Sequence, residues 1–286
     1  MLGPIDVAKG IVRVAARTPT LLPATHTNSY ALGTREVLLV EPATPFEDEL
    51  REWLLWARGL VSAGRTIVGL FATHHHPDHV GGLDVLVREL DVPLFAHDET
   101  LARVSHDPNT VRRYSEGDEI SLDGPEPMVF RVLHTPGHAK GHLCLHDEAE
   151  GSLVVGDMVA SEGTILIAPG EGDMIDYLAE LGRLGKIDAK VALPAHGDPI
   201  GDPRGLFRRY VTHRLLREAK VLAAVREAGH GDLDALVPLA YADTPPAIFP
   251  IAKLSLEAHL EKLVKDGTVV HDGRTYRATE PALEPR

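Results

Sequence analysis

Thr73-His74-His75-His76-Pro77-Asp78-His79 follows directly on the apolar run Thr66-Ile67-Val68-Gly69-Leu70-Phe71. The run is rich in β-branched and aromatic residues and reads as a strand, so the polar cluster lies on the loop at that strand's C-terminal end. Four imidazoles and a carboxylate within six residues are costly to crowd together unless a cation holds them. Imidazole nitrogen suits zinc and its neighbours, and an aspartate adds a harder oxygen ligand. Alternation sends His74 and His76 one way and His75 the other. Asp78 and His79 come round as the chain turns into the helix that Gly81-Gly82-Leu83-Asp84 opens. The plainer alternative is a metal-scavenging surface tract. Downstream recurrence of the same ligand types at strand ends argues against it.

That recurrence has three parts. Leu133-His134-Thr135-Pro136-Gly137-His138 follows the strand-like Met128 to Leu133. Leu153-Val154-Val155-Gly156-Asp157 ends in a carboxylate, and Val191-Ala192-Leu193-Pro194-Ala195-His196-Gly197 in a histidine. With the first loop they form a His-x-His-x-Asp-His, His, Asp, His series, which resembles the metallo-β-lactamase-fold hydrolase superfamily. The resemblance implies a two-metal site. His74, His76 and His138 match the ligands of the first ion, Asp78, His79 and His196 those of the second, and Asp157 the bridging carboxylate. In such a site two cations about 3.5–4 Å apart lower the pKa of a shared water from about 16 towards 7, and the resulting hydroxide attacks a carbonyl carbon or phosphorus. Zinc is the default, with iron or manganese admitted by the oxygen ligands. Asp78 and His142 are the candidate catalytic residues. His142 stands four residues after His138, where some branches of the superfamily carry a histidine near the substrate; the alternative is a plain strand histidine.

The 286-residue chain has room for one large domain and an appendage, and its balance of 44% hydrophobic and 25% charged residues is that of an ordinary globular protein. The net charge is −13, with the whole acidic excess before residue 203 and a slightly basic tail. An acidic body does not attract polyanions at long range. One cysteine, Cys144, within Leu143-Cys144-Leu145, reads as a buried strand residue and fits a reducing compartment. No apolar stretch is long enough for a leader or a membrane span, so a cytoplasmic protein without membrane partners is expected.

Residues 28–33 and 36–40 read as a hairpin turning near Gly33-Thr34. The superfamily usually places an acidic residue and a glycine after such a strand; Glu41-Pro42-Ala43 departs from that. Pro45 opens a helical pattern in which Trp53 and Trp56 read as packing. His97 could face the site or cap a helix, and His134 is structural. Asp173 to Leu184 reads as a helix capped by Asp173. Periodicity alone supports a mixed α/β fold with much strand content; the superfamily resemblance implies an αββα sandwich over residues 1–205.

Beyond Gly201-Asp202-Pro203 the composition shifts. A long helix to Glu227 places Arg208, Arg209, Arg214 and Arg217 on one side and packs Leu206, Tyr210, Leu215, Leu216, Val221, Leu222 and Val225. A second amphipathic helix buries Ile251, Leu254, Leu256, Leu260, Leu263 and Val264, and a short hairpin turns at His271-Asp272-Gly273-Arg274. This is a winged-helix-like α+β domain over residues 206–286. Tyr210-Val211-Thr212-His213-Arg214 and Leu256-Glu257-Ala258-His259-Leu260-Glu261-Lys262-Leu263 resemble tail motifs of the lactamase-β-like-protein-2 group. Lys253, Lys262 and Lys265 are diluted by Glu257, Glu261 and Asp266, which favours packing or homodimer formation over nucleic-acid reading. Three functions compete: a single-stranded RNA endonuclease, towards which the group resemblance leans; a thioester, lactone or ester hydrolase acting on a small molecule; and a non-catalytic binding module, disfavoured because every ligand position is filled.

Overall fold

The computed structural model describes residues 1–279. Strands β1 (Leu2–Ala8), β2 (Ile11–Arg17), β3 (His26–Leu32), β4 (Glu36–Val40), β5 (Thr66–Phe71), β6 (Leu94–Ala96) and β7 (Val111–Arg113) lie in sequence order in one sheet. It is antiparallel from β1 to β4 and parallel from β4 to β7. Strands β8 (Glu119–Leu122), β9 (Met128–His134), β10 (Leu143–Asp147), β11 (Ser152–Gly156) and β12 (Val191–Pro194) form the second sheet in the order β12-β11-β10-β9-β8.

Period-two alternation assigns each side chain to a layer. Leu38 and Val40 of β4, with Phe71 and Phe95, meet Phe130, Leu145, Val154 and Leu193 between the sheets. Val37 and Leu39 face the other way, against α1 (Glu47–Ser62) and, past the short turn α2 (Pro77–Val80), α3 (Leu83–Leu90). Trp53 is fully buried there, its indole N–H donating to Ser29 Oγ at 3.0 Å, and Trp56 meets it edge-on, so the pair packs. After the single turn α4 (Asp98–Leu101), the second sheet's outer face is covered by α5 (Met174–Leu184) and by the start of α6 (Pro203–Ala228). The Asp173 carboxylate caps α5 by accepting from Ile175 and Asp176 N–H. The central strands β4, β11 and β12 are covered on both faces and read as near-continuous apolar runs, whereas β8 and β9 alternate buried and exposed residues.

Cys144 lies on that outer face with no exposure, and burial pushes its thiol up to about 12. The native protein is therefore expected to resist iodoacetamide at about pH 8 and to react once unfolded in guanidinium. Rapid labelling of the native chain would show that Cys144 is not packed beneath α5.

The tail comprises α6, α7 (Leu233–Ala240), α8 (Phe249–Lys265) and the hairpin β13 (Val269–His271) and β14 (Tyr276–Ala278), which is the winged-helix arrangement. The expected boundary after residue 205 falls within the first turn of α6. One unbroken helix gives Phe207 to the catalytic core and Val221, Ala224 and Val225 to the tail core. Serving two cores from different faces also undoes the single-stripe reading. Leu215 and Leu216 are 48% and 62% exposed, while Arg214 is 3% exposed. In α8, Ile251 and Leu254 are likewise exposed, and Ala252, Ala258 and His259 take the buried places. The α8 lysines are tied up in ion pairs, Lys253 with Asp234, Lys262 with Glu218 and Asp266, and Lys265 with Asp173. No helix among the described residues is long and apolar enough to cross a membrane.

Candidate metal centre

The C-terminal ends of β4, β5, β11 and β12 and the turn after β9 converge on one spot, as ligand sites in open α/β sheets do. His74 and His76 leave β5 through an extended backbone, and Pro77 starts α2, which swings Asp78 and His79 inward. His74 Nε2 lies 3.0 Å from His76 Nδ1 and 3.1 Å from His138 Nε2. Asp78, His79 and His196 form a second group, with His196 Nε2 3.4 Å from Asp78 Oδ2. Asp157 stands between the two, its carboxylate oxygens 3.4–3.6 Å from His196, His138 and His79. His75 points away and meets Glu171 at 2.9 Å.

The hydrogen bonds behind the site fix which nitrogen of each ring is free. The Leu166 and His26 carbonyls only accept, so His138 (2.8 Å) and His196 (3.0 Å) must donate to them through Nδ1–H, leaving Nε2 as a lone pair facing the site. Glu41, 1% exposed, takes a 2.5 Å hydrogen bond from Thr73 Oγ1 and a 3.1 Å one from His79 Nδ1. Thr73 Oγ1 in turn receives Nδ1–H of His74 at 3.0 Å. Inward-aimed lone pairs cannot satisfy one another, and His79 Nε2 and Asp157 Oδ1 are buried with no hydrogen-bond partner. A cation satisfies all of them, so the donor set fits a metal site.

Electrostatics separate the two groups, neutral rings in the first and, in the second, rings whose carboxylate neighbours favour a positive charge that a bound cation would replace. Burial lowers His74, and its imidazole neighbours lower it further; the same causes take His76 down to about 3. These rings are neutral and their lone pairs available. Burial alone would lower His196, but Asp157 and Asp78 push it up to about 10. Burial likewise opposes ionisation of Asp78, yet His79 and His196 hold its carboxyl well below the ordinary range.

His142 does not face the cleft, which corrects its reading as a candidate catalytic residue. It has no exposed surface; Nε2 accepts from the Asp157 backbone N–H at 3.1 Å, and Nδ1 meets Thr135 Oγ1 at 2.7 Å. Its ring lies beneath Gly156, where a Cβ would come within 2.6 Å of Nε2, so it aims Asp157 from below. His97 caps α4 and stacks on His134 with ring centroids 4.3 Å apart, both outside the site. Sequence reasoning missed Glu41 as a functional residue. Instead of the acidic-residue-plus-glycine pattern, Glu41 itself takes the left-handed backbone, with φ of 60°. An acidic side chain ending an apolar strand beside β5 was the available signal.

Over the site lies a cleft of about 190 Å³ between residues 19–24 and 160–168. Leu21, Leu22, Ile165 and Leu166 contribute apolar walls, Asp78, Asp157 and Glu162 carboxylates, and no lysine or arginine among the described residues lines it.

An αββα sandwich with a histidine- and aspartate-built cation site at its strand ends defines a metal-dependent hydrolase. Residues 22–196 match the metallo-beta-lactamase superfamily and residues 233–277 the beta-lactamase associated winged helix domain. The chain belongs to the metallo-beta-lactamase superfamily. It is 27% identical to a beta-lactamase-like protein 2 homolog of Drosophila melanogaster, over 91% of this chain and 90% of that protein. It is 30% identical to an atrochrysone carboxyl ACP thioesterase of Aspergillus chevalieri, over 78% of this chain and 70% of the other. A beta-lactamase domain protein from Burkholderia ambifaria, 24% identical, shares the fold with a TM-score of 0.83 over 96% of this chain and 93% of that one.

Proposed function

We propose that this protein is a two-metal hydrolase of acyl thioesters, with simple esters as weaker substrates. The cleft carries the reading: it is small and walled by leucine and isoleucine, and apart from the candidate metal ligands its one charged side chain among the described residues is Glu162. Beyond the metal ligands themselves, an RNA strand would meet Glu162 and, among the described residues, no lysine or arginine lining the cleft to receive the phosphates on either side of the scissile one, and the α8 lysines are already paired. The RNA expectation is therefore set aside, and the relative named a thioesterase supports the acyl reading.

His74, His76 and His138 would hold one ion, Asp78, His79 and His196 the other, with Asp157 shared between them. Divalent cations bound there, zinc by default, supply a water of lowered pKa and polarise the attacked carbonyl. The residues supply the rest. Asp78 lines the cleft as a carboxylate and orients water by accepting its hydrogen bond. Leu21, Leu22, Ile165 and Leu166 exclude bulk water and take the acyl chain. Among the described residues the cleft offers no lysine, tyrosine or cysteine to protonate a leaving group. A thiolate, whose conjugate acid titrates near about 8.5, leaves without one.

The test is release of thiol from short and medium acyl thioesters of N-acetylcysteamine by the zinc-loaded protein, beside an end-labelled single-stranded RNA. Thioester turnover is expected to exceed that of the matching oxygen esters by roughly tenfold or more, with the RNA uncut. RNA cleavage that a metal-ligand variant abolishes, with thioesters untouched, would sink this reading.

A further inference from the structure

The segment between Asp157 and Ala168 carries one candidate ligand at its start. Near its end it carries the Leu166 carbonyl that receives His138 Nδ1–H. It has no helix or strand of its own over residues 157–168, so its shape is imposed from outside. Three anchors impose it. Tyr177 of α5 donates its hydroxyl to the Met158 carbonyl at 2.8 Å. Tyr210 of α6 spans both polar groups of Ala160, accepting from its N–H at 3.0 Å and donating to its carbonyl at 3.1 Å. Arg214, one turn further along α6, donates to the Ile165 carbonyl, the peptide group next to the one that holds His138.

Arg214 is unusual in its surroundings. It is 3% exposed, and among the described residues no carboxylate lies within 4.0 Å; its partners are the Ile165 carbonyl and the face of the Tyr177 ring, 5.3 Å from its guanidinium carbon. Its Nε has no hydrogen-bond partner. A buried, unpaired guanidinium costs several kcal/mol, roughly, against an apolar side chain of like volume. Packing α6 onto the sandwich does not need that charge, since Phe207 already supplies buried apolar contact in the same helix. What the guanidinium supplies is a rigid donor aimed at one loop carbonyl.

We propose that Arg214 and Tyr210 are positioning residues of the metal centre. They act through the 158–168 segment to hold the Leu166 carbonyl against His138 and so keep His138 Nε2 turned towards His74 and His76. The helix that begins the tail is thereby part of the site's scaffold, and the tail serves the catalytic domain as a brace. This rests on the reading of His138 as a metal ligand.

The experiment is equilibrium competition for zinc between the full-length protein and a chromogenic chelator, with the visible absorption of the cobalt(II)-loaded protein as a second readout. It compares wild type with Arg214→Gln, Arg214→Lys, Tyr210→Phe and Lys262→Gln. Arg214→Gln is expected to weaken zinc binding by roughly 10–100-fold, the range found when a ligand's own hydrogen-bond partner is disturbed, and to change the cobalt spectrum. Arg214→Lys recovers part of the loss, because it restores a donor without the fixed fork. Tyr210→Phe gives a smaller loss in the same direction, while Lys262→Gln, which disturbs only the tail's ion pairs, leaves zinc affinity unchanged. Zinc affinity and cobalt spectrum of folded Arg214→Gln within twofold of wild type would overturn the proposal. If Arg214→Gln does not fold, Tyr210→Phe decides it by the same two readouts. Wild type that takes up no zinc would overturn the metal-centre reading itself, a result distinct from wild type and variants binding alike.

Discussion

Asp157→Ala loses bound metal and hydrolytic activity together, with turnover falling by about three orders of magnitude or more. The side chain reaches both imidazole groups from the cleft side, 3.4–3.6 Å from His196, His138 and His79. Its removal leaves two inward-facing clusters of nitrogen ligands, the second of which keeps Asp78 while the first has no carboxylate shared with it on the cleft side. His142 and Gly156 hold the backbone beneath it and are untouched by the change, so a folded variant is expected. Metal content by atomic absorption and thioester turnover, measured on the same preparation, check the result. His76→Ala behaves in the same way. Normal turnover in either variant with one metal fewer would mean that the paired-ion arrangement assigned to these seven side chains is wrong.

The second large effect lies behind the ligands. Glu41→Gln is expected to weaken metal binding by roughly 10–100-fold while keeping the fold. One Glu41 oxygen accepts from both Thr73 Oγ1 and His79 Nδ1, and Thr73 passes the orientation on to His74, so a single carboxylate sets the ring tautomer in both metal groups. An amide presents the same shape with half the acceptors and no charge. Glu41→Ala goes further. Leaving the buried His79 without its partner costs about 3–5 kcal/mol. Glu41→Gly separates backbone from side chain. It relieves left-handed strain worth about 1–3 kcal/mol, which is smaller than the lost pairing, so it too is destabilised. Chelator competition and thermal melts of the three variants test the order. A Glu41→Gln protein with wild-type metal affinity would show that the Thr73 and His79 contacts are packing only.

Much of the site was legible because metal-ligating side chains are rare at strand ends and recur in fixed chain order. His74, His76, Asp78 and His79 are neighbours in sequence, and their facing follows from alternation and from Pro77 starting a helical turn. Runs of known period give a mixed α/β body rich in strand and the winged-helix tail, while the αββα sandwich followed from the family resemblance of the ligand motifs. What was misread shares one cause. His142, Leu215, Leu216 and Ile251 were placed by local pattern, whereas their burial is decided by elements far away in sequence. His142 is turned inward by Thr135 and the Asp157 amide, and Leu215 is turned outward because α6 serves two cores at once.

The sequence by itself determined the inventory: which side chains can bind cations, at which strand ends they sit, and that a helical tail follows. Spacing along the chain carries that information, because strand and helix periods are local. Only the tertiary structure decided which nitrogen of each histidine is free, that Glu41 governs two of them, and that Arg214 reaches across to the loop behind His138. Apart from the Thr73–His74 contact, those are hydrogen bonds between residues tens of positions apart. Their donors and acceptors are chosen by how sheets and helices pack, and no local pattern encodes that choice.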